Sequence, residues 1–168
     1  MPAARPPPAG ALWHHVAMYW SPFLAFVHHL AAFTVVATLA VEVALFKPPL
    51  TAPQARRLQR TDMLFGAAAT LVLVVGLVRV TYFEKGPEYY WHDVYFLAKF
   101  AAFVLAGLIS IYPTLTFLAW NKTLAAGGTP EVPAARTRAV RMCLMLELTA
   151  IVVILVCAPL MARGFGYR

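Results

Sequence analysis

"FVHHLAAFTVVATLAVEVALF", residues 26–46, decides the fold. As a helix, its 21 residues reach about 31 Å at about 1.5 Å each, close to the roughly 30 Å of bilayer hydrocarbon. Yet the run opens with His28 and His29 and carries Glu42 near its far end. An ionisable side chain inside lipid costs about 2.5–3.5 kcal/mol on insertion scales, so each needs a partner or a task.

The rest of the chain has the same character. It has 168 residues, 61% hydrophobic and only 12% charged, with mean hydropathy +0.70. Soluble domains carry about 25% charged residues. Four apolar runs are long enough to span: Pro22 to Phe46, Met63 to Tyr82, Val94 to Trp120 and Val140 to Met161. Inside lipid the backbone must satisfy its own hydrogen bonds, which makes each a helix. The expected fold is all-α: a polytopic integral membrane protein built as an antiparallel four-helix bundle. Residues 1–21 read as a flexible Pro-rich tail and interfacial segment, and residues 22–163 as the membrane domain. The head "MPAARPPPAG" has no compact apolar core followed by a small-residue cleavage site, so it reads as a tail rather than a signal peptide.

The formal charge of +7 does not point to nucleic acid, because the basic residues flank the apolar runs instead of forming a patch. Lys47, Arg56, Arg57 and Arg60 follow the first run; Lys122, Arg136 and Arg138 precede the fourth, with Arg141 at its start. The opposite side holds Arg5, Arg79, Lys85, Arg163 and Arg168. Eight against five predicts an inner-membrane orientation with the first and third loops in the cytoplasm and both termini outside. The second loop, "RVTYFEKGPEYYWHD", clusters Tyr82, Tyr89, Tyr90 and Trp91 and suits an outer interfacial belt. Cys143 and Cys157 lie about 21 Å apart along one helix, too far to bridge, and read as small core residues.

Helical geometry sorts the buried polar groups. His28 and Glu42 fall within about 40° of one another on the first helix, while His29 points about 100° away. On the third helix His92, Tyr95, Lys99, Ala106, Ser110 and Pro113 form a polar, small-residue face suited to close helix approach. His28 and Lys99 lie level, about 9 Å below the outer surface. Glu147 lies about 8–10 Å deeper, within reach of the lysine stem if the helices are neighbours. Lys99 with Glu147 is therefore either a structural ion pair or a functional one. Glu42 is expected near water at the inner edge. Arg79 is expected to snorkel, and His14, His15 and His92 to lie at the interface. His28 is either a helix-to-helix hydrogen bonder or an axial ligand.

A resemblance bears on that choice. "HHLAAFTVVATLAVEVALF", with His28, Thr34, Leu45 and Phe46, resembles the opening helix of HemJ-type protoporphyrinogen oxidases. "FLAKFAAFVLAGLISIYP", with Lys99 and Tyr112, is similar to their third helix. "RAVRMCLMLELTAIVVILVCAPL", with Glu147 and Pro159, resembles a later one. Copper-resistance membrane domains of the CopD type are a more distant likeness. "RVTYFEKG" followed by a tyrosine pair, and "SIYPT", resemble a family of small bacterial inner-membrane proteins known only as a domain of unknown function. The HemJ resemblance implies haem b, with His28 as iron ligand, His92 and Arg79 in cofactor binding, and a porphyrin as substrate. It implies, for an enzyme, a haem-dependent oxidoreductase with Lys99 and Glu147 as catalytic groups. A second axial ligand could come from a homodimer partner.

Two other classes stand beside it. Glu42 and Glu147 suit a proton-coupled carrier, and the same polar groups could merely fix helix packing in an assembly partner. A copper site from Met142, Cys143 and Met145 is the weakest of the readings, since methionine is common apolar filler.

Overall fold

The computed structural model describes residues 9–168, with side chains from residue 19 onward. The Pro-rich head over residues 1–8 lies outside the described residues, as do the side chains of His14 and His15. Helix α1 runs Ala9–Leu45, and its apolar span is Tyr19–Leu45. Its 37 residues make it about 55 Å long, well beyond the hydrocarbon thickness.

Helix α2 runs Ala52–Val78 and starts eleven residues ahead of the expected Met63. Thr51 is the reason. Its hydroxyl accepts from the Gln54 amide at 3.4 Å while its own amide donates to Gln54 Oε1 at 2.9 Å, a reciprocal capping box. Arg56, Arg57 and Arg60 therefore ride on the first turns of the helix rather than in a loop. At its far end α2 widens into a π-helical turn, Arg79–Phe83. Gly86, at φ 88°, then reverses the chain into the short helix α3, Pro87–Trp91.

Asp93 starts α4, Val94–Leu118, by accepting from the amides of Tyr95 and Phe96 at 2.9 and 3.0 Å. Helix α5, Asn121–Ala125, and a turn through Gly127 lead to α6, Ala134–Ala162. The four long helices, α1, α2, α4 and α6, are each long and apolar enough to cross a membrane. Among the described residues there is no strand, only an isolated bridge between Asp93 and Tyr167. The all-α polytopic architecture is as the composition requires.

The helices form two hairpins. α1 packs chiefly on α2, and α4 on α6, with lighter contacts of α1 on α6 and α2 on α4. The core is densest at the end carrying the Lys- and Arg-rich connections, here the basic end. Phe46, Leu58, Phe117, Trp120, Leu124 and Leu144 are buried there. Phe117 sits 5.8 Å from Phe46 and 5.1 Å from Trp120 between ring centroids. Arg56 donates to the Leu124 carbonyl (2.7 Å), and Gln59 donates to the Phe117 carbonyl (2.7 Å) and Asn121 Oδ1 (2.9 Å). These bonds tie the hairpins together at this end. At the opposite, tyrosine-rich end the C-terminal segment folds back: the Val94 amide donates to the Gly166 carbonyl at 3.0 Å, and Tyr89 stacks on Tyr167 at 4.7 Å.

Candidate functional site in the bundle interior

Polar groups inside the bundle fall into two sets at different depths. Nearer the tyrosine-rich end are His28, Arg79 and Lys99. The His28 ring lies against the backbone of α2, so close that a Cβ on Gly76 would stand 3.1 Å from Cε1 and 3.5 Å from Nδ1. His28 Nδ1 is buried with no hydrogen-bond partner. Lys99, Arg79 and His29 are the ionisable groups whose charge it feels. Arg79 is paired with Glu84 at 2.5 Å across the π turn. His29 Nδ1 donates to the Ala25 carbonyl (2.6 Å) on the exposed side of α1. His92 lies on the turn before α4, exposed, with Nδ1 donating to the Glu88 carbonyl (2.8 Å). It is thus outside the helical face on which the Lys99 spacing placed it.

Nearer the basic end are three carboxylates from three helices: Glu42 of α1, Asp62 of α2 and Glu147 of α6. They are 1%, 6% and 1% exposed. Each of the glutamates is close enough to Asp62 to feel its charge, and Glu42 also feels Glu147. Asp62 accepts from the Thr114 hydroxyl of α4 at 2.8 Å. Glu42 Oε1 and Glu147 Oε1 have no partner. Among the described residues the one salt bridge is Arg79–Glu84, so no basic side chain pairs with these acids. Glu42 does not reach water: the Phe46, Phe117 and Trp120 plug closes the bundle between it and the basic end.

Lys99 and Glu147 do not meet. Glu147 shares a cleft with Phe103, Ala106, Gly107 and Ser110 of α4, which lie four to eleven residues further along α4 than Lys99, about 6–16 Å of helix. The ionisable neighbours of Lys99 are Arg79 and Cys157 instead.

The cleft has a volume of about 290 Å³. Its floor is Val35, Ala106, Glu147 and Ile151, all buried, and its rim is Gly66 and Thr70 of α2 and Gly107 of α4, all exposed. A Cβ on Gly66 or Gly107 would meet nothing within 4 Å. The cleft therefore opens sideways between α2 and α4, in mid-span. Sequence reasoning missed Asp62, because it placed the second span from Met63, one residue too late. The available signal was "TAPQ" at residues 51–54, an N-cap threonine with glutamine three positions on.

Residues 20–166 match the model of a family described as "Predicted membrane protein (DUF2214)". The chain belongs to this family. The DUF2214 match covers all four spans and both polar sets. No match was found among curated proteins or among solved structures. The DUF2214 description carries the membrane assignment and no activity, so the reading of function rests on the interior geometry. Among the described residues no group of three or more His, Cys, Asp or Glu side chains is placed to hold a metal ion.

Proposed function

We propose that this DUF2214 protein is a small membrane carrier that exchanges protons at Glu147, with Glu42 and Asp62 as relay groups toward the basic end. One observation carries the reading: Glu147 is 1% exposed, has an unpartnered carboxylate oxygen and lines an open cleft. Carboxylates buried in a bundle interior without a basic partner are tolerated only when a proton or a bound cation neutralises their charge. A packing role alone would favour satisfied groups, such as Asp62 with Thr114. On this reading the basic end faces the cytoplasm, and the aromatic plug below Glu42 is the closed inner gate.

The test uses vesicles with an acidic lumen and a trapped pH dye, to which small organic and inorganic cations are added outside one at a time. For at least one of them, wild-type protein is expected to release luminal protons several-fold faster than Glu147→Gln. Equal rates in wild-type, Glu147→Gln and protein-free vesicles would remove the carrier reading.

His28 supports a second reading, a haem b site serving porphyrin or redox chemistry, within one chain or across a homodimer. Lys99 and Arg79 would suit the acidic edge of the macrocycle, and a bound haem would supply one-electron chemistry. The packing fits this only in part. Nδ1 points at Gly76, where α2 leaves no room for a macrocycle, so the ligating atom would have to be Nε2. A reduced-minus-oxidised absorbance spectrum decides it: a Soret and α band lost in His28→Ala supports the site, and a colourless protein after haem reconstitution ends it.

A further inference from the structure

We propose that the cleft between α2 and α4 binds a small organic ammonium ion, a protonated amine carrying an apolar body, with its N–H groups on Glu147. The proposal rests on the reading of Glu147 as the exchange site and adds the class of substrate.

The polar atoms lining the cleft determine the chemistry. Thr70 and Ser110 are the hydroxyl side chains there, and both donate to their own helix, to the Gly66 and Gly107 carbonyls, each at 2.8 Å. Their hydrogens are spent, and lone pairs are what remain for a ligand. Glu147 Oε1 is a third acceptor without a partner. Among the described residues no lysine, arginine, histidine, tryptophan, asparagine or glutamine lines the cleft. Once Glu147 has given up its proton, a ligand must bring every donor, and an anion would face only oxygen lone pairs. Phe65 and Phe103 also line the space, and aromatic rings attract a cation.

An inorganic cation fits less well. Calcium and magnesium need six or more oxygens, whereas here four side-chain oxygens, two of them on Glu147, are set among Val35, Leu73, Ile151 and Ile154. Those aliphatic walls suit hydrocarbon. The volume, about 290 Å³, stands at the low end of small-molecule sites and suits one aromatic ring with a short arm. When the ammonium arrives at a protonated Glu147, the carboxyl proton leaves as the ion pair forms, so charge balances: one cation enters and one proton departs.

The experiment is equilibrium dialysis of the detergent-solubilised full chain against radiolabelled 2-phenylethylammonium, with 3-phenylpropanoate as the anion of similar shape and protein-free micelles as blank. Saturable binding of the ammonium and none of the anion is expected, weakened at least tenfold in Glu147→Gln. Gly107→Leu, which puts a side chain into the open space of the rim, should weaken it as much. Each variant's helical circular dichroism reports whether it is folded, and either one alone suffices as the test. Absence of ammonium binding, equal binding of the anion, or wild-type affinity in a folded variant would each overturn the proposal. Glu147-dependent proton passage without ammonium binding would sink this assignment and leave the carrier reading standing. Binding without proton passage would support the assignment and sink the carrier.

Discussion

Phe117→Ala is expected to cost about 3–5 kcal/mol of stability, read as a lower melting temperature in detergent or an earlier midpoint in denaturant. Phe117 is 0% exposed and lies between Phe46 of the first hairpin and Trp120 of its own chain turn. Removing the ring leaves a void beside Phe46 and Trp120. Partial collapse would bring Trp120 inward, and its indole nitrogen is already buried without a partner, so collapse offers little relief. A loss below about 1 kcal/mol would mean that the plug repacks freely and does not seal the space beneath Glu42. The same variant should speed proton passage in vesicles, because the closed end of the bundle would then admit water.

The second large effect is at the opposite end. Asp93→Ala removes the carboxylate that accepts from both Tyr95 and Phe96 amides, leaving the first turn of α4 uncapped. An N-cap lost to alanine costs up to about 2 kcal/mol. Asp93 is 0% exposed and also faces the returning C-terminal segment. Gly166 approaches so closely that a Cβ there would stand 2.5 Å from Asp93 Oδ1 and 2.7 Å from Tyr95. The expected result is a melting temperature lowered by several degrees together with faster hydrogen exchange at the Val94 amide, which donates to Gly166. Unchanged exchange with lowered stability would show that the tail is held without the Asp93 carboxylate, by the Val94–Gly166 bond and the tyrosine stack.

How much of this was legible in the residues depends on which property is asked about. Length and apolarity are enough to place four spanning helices, because lipid permits hardly any other backbone solution. The ends of the second helix were harder. A polar first turn bearing Arg56, Arg57 and Arg60 looks like loop by composition, and only the Thr51–Gln54 cap reveals a helix already under way. Asp62 was lost for that reason. Helical angles also identified the Lys99–Ser110 face of α4 as one that meets other helices, and it does border the cleft at Ala106 and Ser110. For Lys99 and Glu147 the depth arithmetic was sound, about 8–10 Å expected against about 6–16 Å along α4. The pairing was not, because whether a lysine stem crosses such a gap depends on how α4 and α6 pack. His28 illustrates a different limit. Its inward face was readable, but the contact with Gly76 depends on which helix packs against α1, and angles along one helix carry no such information.

The exposed rim formed by Gly66, Thr70 and Gly107 has a consequence for any affinity measured on this protein. A molecule entering between α2 and α4 arrives from the hydrocarbon, so the concentration that governs occupancy is its mole fraction in the membrane. A more lipophilic amine would then seem tighter-binding in aqueous units merely because it partitions better. Doubling the lipid at fixed total solute would weaken the apparent constant for a strongly partitioning compound. Affinities should become comparable across compounds only after division by their partition coefficients.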